Sequence, residues 1–189
     1  MKKTLLAMIA LLTLITGCIP LAIGGAALVG TNAAHSPGLG GGAADERIKT
    51  DISYKWLANK SSLFRNLRTK VYDRRVLVLG TVATQASKAE AIRLVSAVAG
   101  VRAVYDEILI GEDQSYGADF SDLAIDKELE TKLLFKGGVK DLNFSTEVQS
   151  GVVYLLGSAR SQVELQKAID VARNIGGVKQ VVSYIEVVQ

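Results

Sequence analysis

Apolar and polar positions along this chain follow two periods, one helical and one strand-like, and the pattern is written twice. From Asp45 onward, Ile48, Ile52 and Trp56 recur at helical spacing and Leu57 widens the stripe; Asp45 is placed to cap a helix beginning near Glu46. Leu67, Thr69 and Val71 then alternate with polar residues, as in a half-buried strand. Asp73-Arg74 predicts a turn. The run Arg75 to Val82 is apolar on both faces, which predicts a strand central in its sheet and covered on one side by helices. Gly80 inside that run predicts a bulge or a close backbone approach, since glycine weakens a strand interior. Ala91, Ile92, Val95 and Val98 share one face of a second helix over Ser87 to Val98, Gly100 stops it, and Val101 to Ile110 reads as a third strand.

The order helix, strand, strand, helix, strand then repeats without a gap at an offset of 77 positions: Ile48 falls on Ile125, Val71 on Val148, Gly80 on Gly157, Gly100 on Gly177 and Ile108 on Ile185. A period this long means a duplicated small domain rather than a solenoid. In the second repeat the helices are expected over Asp122 to Phe135 and Ser161 to Asn174. The strands are expected over Asn143 to Val148, Gly151 to Gly157 and Val178 to Val187. The fold class is α+β, each repeat a three-stranded sheet packed against two helices. A short polar connector, Gly111 to Ala118, makes the two repeats close neighbours. The shared positions are apolar or glycine, so what was copied is a core and its turns and not a set of reactive groups.

The segment before the repeats has its own logic. Lys2 and Lys3 precede a short apolar run from Thr4 to Ile15, followed at once by Ile15-Thr16-Gly17-Cys18. This is the pattern of a bacterial export signal, and its last four residues resemble the lipobox of bacterial lipoproteins. In those proteins the cysteine is diacylated, the leader is cleaved before it, and its amine is then acylated with a further palmitate-type chain. Cys18 is the only cysteine, so no internal disulfide is possible, and lipidation would consume a thiol otherwise out of place in an oxidising compartment. Ile19 follows it in place of an inner-membrane retention aspartate, which favours outer-membrane sorting. An uncleaved membrane helix is the alternative, but Pro20, Gly24 and Gly25 interrupt the apolar run. The expected layout is a signal peptide over 1–17, the lipidated cysteine and a flexible tether over 18–43, and two domains over 44–113 and 114–189.

Charge is mild. The formal net charge is +3, with Lys2 and Lys3 in the expected leader. The first repeat is net positive and the second net negative, too weak a bias for a dedicated nucleic-acid binder. Catalytic chemistry is sparse. His35, the single histidine, falls in the tether, where nothing would position it as a general base. Metal centres of the zinc type need several His or Cys ligands, so neither a metal nor another cofactor is expected. Asp119, Asp122, Asp126 and Glu130 approach helical spacing, and paired acids can hydrolyse glycosides; the plainer reading is an acidic first turn suited to the helix dipole. Gly38, Gly40 and Ala43 have the spacing of a dinucleotide loop but follow Pro37, and read as linker.

The strand Val76-Leu77-Val78-Leu79-Gly80-Thr81-Val82 and the later Gly100-Val101-Arg102-Ala103-Val104 resemble the BON domain of bacterial envelope proteins, and Val152 to Ser158 and Gly177 to Val181 repeat the likeness. Behind a lipobox, two such copies resemble the dual-BON outer-membrane lipoproteins. The resemblance implies a non-enzymatic protein, lipid-anchored in the outer membrane and facing the periplasm. It would bind anionic phospholipid, associate with the division site and maintain outer-membrane integrity. It also implies links to outer-membrane assembly machinery and to regulators of peptidoglycan amidases. In that family phospholipid contact is attributed to the first helix of the second copy, which here makes Leu123, Lys127, Lys132, Leu134 and Phe135 the candidate residues. Acidic residues crowd the same helix, and an anionic surface repels them. A second candidate surface is the basic cluster Arg65, Arg68, Lys70, Arg74 and Arg75, which could meet phospholipid, glycan or an acidic partner. Strand alternation places Arg68 and Lys70 on one face. The competing functional reading is a protein–protein adaptor or chaperone-like protein with no direct phospholipid recognition.

Overall fold

The computed structural model describes residues 41–112, 120–135 and 144–188. The first repeat runs α1 (Gly41–Asn59), α2 (Ser61–Asn66), β1 (Leu67–Tyr72), β2 (Arg75–Val82), α3 (Gln85–Ser96) and β3 (Ala103–Ile110). The second runs α4 (Phe120–Phe135), β4 (Phe144–Gln149), β5 (Val152–Ala159), α5 (Gln162–Arg173) and β6 (Gln180–Val187). Each repeat forms a three-stranded sheet, in the orders β1-β2-β3 and β4-β5-β6. The hairpin pairs are antiparallel and the pairs closed by a helical crossover are parallel. This is the expected α-β-β-α-β order; the one-turn α2 was not expected.

The helical stripes meet one face of each sheet. In the first repeat Ile48, Ile52 and Trp56 from α1 pack with Val76, Val78, Ala91 and Val95, and Trp56, 1% exposed, donates its indole N–H to the Ala91 carbonyl at 3.3 Å. In the second, Ile125, Leu129 and Leu133 take the same places against Val153, Leu155, Ala168 and Val171. The crossover helices begin alike. Thr84 Oγ1 accepts from the Ser87 amide and Ser161 Oγ from the Glu164 amide, each filling a donor that a helix start leaves open. In the second repeat Glu164 also reaches back past the cap and accepts from the Arg160 amide at 2.7 Å.

Asp45 does not cap α1, which begins at Gly41. Its carboxylate instead accepts from the amides of Asp73 and Arg74 at 2.7 and 2.8 Å and ties the helix to the β1–β2 turn. Asp73 and Arg74 have φ of 47° and 61°, and an acceptor on both amides holds that unusual turn. Asp122, at the offset of 77 from Asp45, does the same for the β4–β5 turn. It accepts from Ser150 and Gly151 at 2.6 and 2.8 Å.

The two sheets pack on each other through the faces turned away from their helices. Leu77 and Leu79 of β2 and Tyr154 and Leu156 of β5 are buried together, with Tyr72, Tyr105, Val152, Val182 and Tyr184 around them. That is why both central strands are apolar on both sides: one face meets its own helices, the other its sister sheet.

Candidate functional site

The first helix of the second repeat, α4, presents two faces. Ile125, Leu129 and Leu133 are core residues, and Asp122 is 7% exposed with both oxygens committed to the β4–β5 turn. Asp126 accepts from the Thr146 hydroxyl at 3.1 Å. These two acids therefore hold backbone and a neighbouring strand. Removing the Asp122 carboxylate leaves two turn amides without an acceptor, so Asp122→Ala should cost about 2 kcal/mol, read from urea denaturation.

The outward face carries Phe120, 87% exposed, and Leu123, 45% exposed. Lys127 pairs with Glu130 at 2.7 Å and Lys132 with Glu128 at 2.6 Å, so both candidate cations already have a carboxylate within the helix. The hydrogen bond from Lys127 to Glu130, reinforced by that carboxylate's charge, holds the Lys127 ammonium above the ordinary lysine range. The side chains of Leu134 and Phe135 lie outside the described residues, as do Cys18 and the tether up to residue 40; residues 41–43, expected in the tether, open α1 instead. Phe120 was not among the sequence candidates; its place three residues before Leu123, on the same helical face, is the signal that could have found it.

Beside this face lies a groove of about 430 Å³ between α4, the β4–β5 turn and the link into β6, with Ser121, Ala124, Glu128, Gly151, Gly176 and Lys179 among its walls. Three of its wall positions differ in size from their first-repeat counterparts. Ala124, Gly151 and Gly176 stand where the first repeat has Arg47, Arg74 and Ala99. Lys179 Nζ donates to the Ser150 carbonyl at 3.0 Å along one wall.

The basic cluster of the first repeat is not one exposed surface. Arg65 and Arg74 are exposed, whereas Arg75 is 1% exposed and lies between the sheets. Arg75 donates to the carbonyls of Gly157 at 2.6 Å and Tyr184 at 2.9 Å, with the Glu186 carboxylate at 3.6 Å. Arg68 and Lys70 do share a face, and both reach Glu147 of the second repeat, at 2.7 and 3.2 Å; Arg68 also donates to the Val148 carbonyl. Three of the five basic groups thus join the repeats. The physical reason is charge matching: Lys70 and Glu147 occupy equivalent positions in the two repeats with opposite sign.

The same interface holds a tyrosine cluster. Tyr105 and Tyr184 stack with ring centroids 4.0 Å apart, and Tyr184 donates a short hydrogen bond to Glu107. Burial, with the Glu107 carboxylate nearby, pushes Tyr154 up to about 12 and Tyr184 higher still, so both stay neutral at any physiological pH. Among the described residues there is no group of three or more His, Cys, Asp or Glu side chains arranged to hold a metal, and no helix long and apolar enough to cross a membrane.

Residues 44–112 and 121–189 each match the BON domain. The chain is 31% identical over 147 residues to the 21 kDa hemolysin of Actinobacillus pleuropneumoniae, covering 77% of this chain and 75% of the relative. It is 27% identical over 169 residues to the outer membrane lipoprotein DolP of Haemophilus influenzae, covering 88% and 86%. It is 33% identical over 124 residues to the "Uncharacterized protein in gshII 5'region" of Anaplasma centrale, covering 65% and 82%. Two tandem repeats with the expected order of elements, each matching the same domain, lead to one assignment: the chain belongs to the BON domain family, as a two-copy member and a protein of the cell envelope.

Proposed function

We propose that this is a non-enzymatic outer-membrane lipoprotein, anchored through acylated Cys18 and facing the periplasm, that binds anionic phospholipid with the outward face of α4. In this reading it supports outer-membrane integrity and works beside division-site and outer-membrane assembly factors and amidase regulators. The observation that carries it is the exposure of Phe120 and Leu123 on one helical face, beside a groove walled by Lys179. Exposed aromatic and leucine side chains one turn apart are what an interfacial helix inserts at the headgroup boundary. Lys179 is the cation offered to a phosphate, because Lys127 and Lys132 are already paired. The kinship with an outer membrane lipoprotein supports the location.

The test is vesicle co-sedimentation of the chain from residue 41 onward, which keeps both cores. Binding to phosphatidylglycerol vesicles is expected, with none to phosphatidylcholine, and it should weaken as salt is raised past the screening length of exposed charges. Phe120→Ala and Leu123→Ala should each lower affinity about tenfold, from the apolar area that no longer leaves water. Equal binding to both lipids, or to neither, overturns the proposal. Binding to neither lipid would favour the adaptor reading, which the four carboxylates along α4 also support.

A further inference from the structure

The outer edges of the two sheets are finished differently. In a parallel ladder every second residue turns its N–H and C=O away from its neighbour. In β3, Ile108 is one of these, and both of its groups are occupied. Its amide donates to its own strand's Asp106 at 3.1 Å, and its carbonyl accepts from Lys88 Nζ at 2.7 Å. Lys88 and Asp106 also pair at 3.2 Å. A lysine and an aspartate laid along an edge are how sheets are kept from joining other strands.

The second repeat lacks both guards. At the offset of 77, Lys88 becomes Leu165, Asp106 becomes Ser183 and Ile108 becomes Ile185. The Ile185 amide makes only a long contact to Ser183 Oγ at 3.4 Å, and no described residue donates to the Ile185 carbonyl. The β6 edge is eight residues long, with half-buried side chains on both of its faces. Val181 and Ile185 lean on the helical core, and Val182 and Tyr184 on the intersheet core.

We propose that β6 pairs antiparallel with β6 of a second copy of this chain, with Ser183 on the two-fold axis. Self-complementarity of the strand identifies the occupant. An antiparallel pair about that axis must set outward-turned residues opposite one another, which places Val181 against the partner's Ile185 on one face and Val182 against the partner's Tyr184 on the other. Gln180 falls opposite the partner's Glu186 and Ser183 opposite the partner's Ser183, so from Gln180 to Glu186 apolar residues meet apolar ones and polar residues polar ones, while Val187 at the strand's end falls opposite the partner's Lys179. The equivalent register of β3 would set Asp106 against the partner's Asp106, two like charges directly opposed. A closed two-fold pairing uses up the β6 edge of both copies. Each dimer would present two α4 helices.

The experiment is oxidative crosslinking of full-length Ser183→Cys in its native membranes. The wild-type chain, whose only cysteine is Cys18, is the blank. Ser183→Cys is expected to give a disulfide-linked homodimer and Asp106→Cys none. Adding Leu165→Lys, which supplies the donor that Lys88 gives the first repeat, should lower the dimer yield about tenfold. Thermal melting of the purified chain should be unchanged by that substitution, which shows that the fold survives. Crosslinking of the introduced thiol to a different protein, the absence of any crosslink, or a dimer yield indifferent to Leu165→Lys each overturns the proposal.

Discussion

Replacing Arg75 by alanine should uncouple the two repeats and cost about 3–5 kcal/mol, the range for breaking a buried charged contact from one side. The guanidinium is buried between the sheets, where its two terminal nitrogens reach the Gly157 and Tyr184 carbonyls. It also lies over the Tyr72 ring at 5.5 Å. Alanine removes both of these hydrogen bonds and leaves unfilled space between the sheets. Arg75→Lys should recover little, because a single ammonium cannot reproduce a planar fork aimed at two acceptors. Arg75→Met should fall between them, restoring packing without the hydrogen bonds. Urea denaturation reads the loss. NMR spectra should show interface amides shifting while those of Ile52, Val78 and Leu155 in the two helical cores stay in place. Stability within about 1 kcal/mol of wild type would mean that the two repeats are held by apolar burial alone.

Gly80→Ala should be comparably damaging, at about 3–5 kcal/mol, the sum of left-handed backbone strain and overpacking against main chain. Gly80 has φ of 123°, and a Cβ there would sit 2.1 Å from the buried Asn66 carbonyl oxygen. That oxygen belongs to the backbone where α2 passes into β1, so it cannot swing aside. Gly80 also donates its amide to Gln149 Oε1 of the second repeat at 2.7 Å, so the strain is transmitted to the interface. The midpoint of urea unfolding should fall steeply with the m-value unchanged. A Gly80→Ala variant as stable as wild type would show that β1 and β2 can separate there at no cost.

What could be read in advance was what local pattern determines. The helical stripes, the alternation in β1, the double-sided β2 and the duplication are periodicities of two, 3.6 or 77 residues, and they appear as expected except that Leu57, read as widening the first stripe, is 53% exposed. The close approach at Gly80 was legible because glycine inside a strand has few other uses. Contacts between positions remote in sequence were not legible. Arg75 follows a turn and reads as part of a basic surface cluster; its partners lie 82 and 109 positions away. Asp45 near a helix start reads as a cap, because nothing local indicates that the amides it serves are 28 and 29 positions on. At the candidate site, Ile125 was legible as core by its match to Ile48 of the first repeat. The outward Phe120 was not, because it precedes the helix start that periodicity suggested, and the groove depends on small residues at three separated turns.

The back-to-back arrangement of the sheets has a consequence for how this gene can change. Leu77 and Leu79 are dry only because Tyr154 and Leu156 lie over them. Once two ancestral halves had exchanged solubilising side chains for mutual contact, neither could be deleted without handing the survivor a sticky, aggregation-prone flank. Tandem duplication here acts as a ratchet, easy to enter and closed behind.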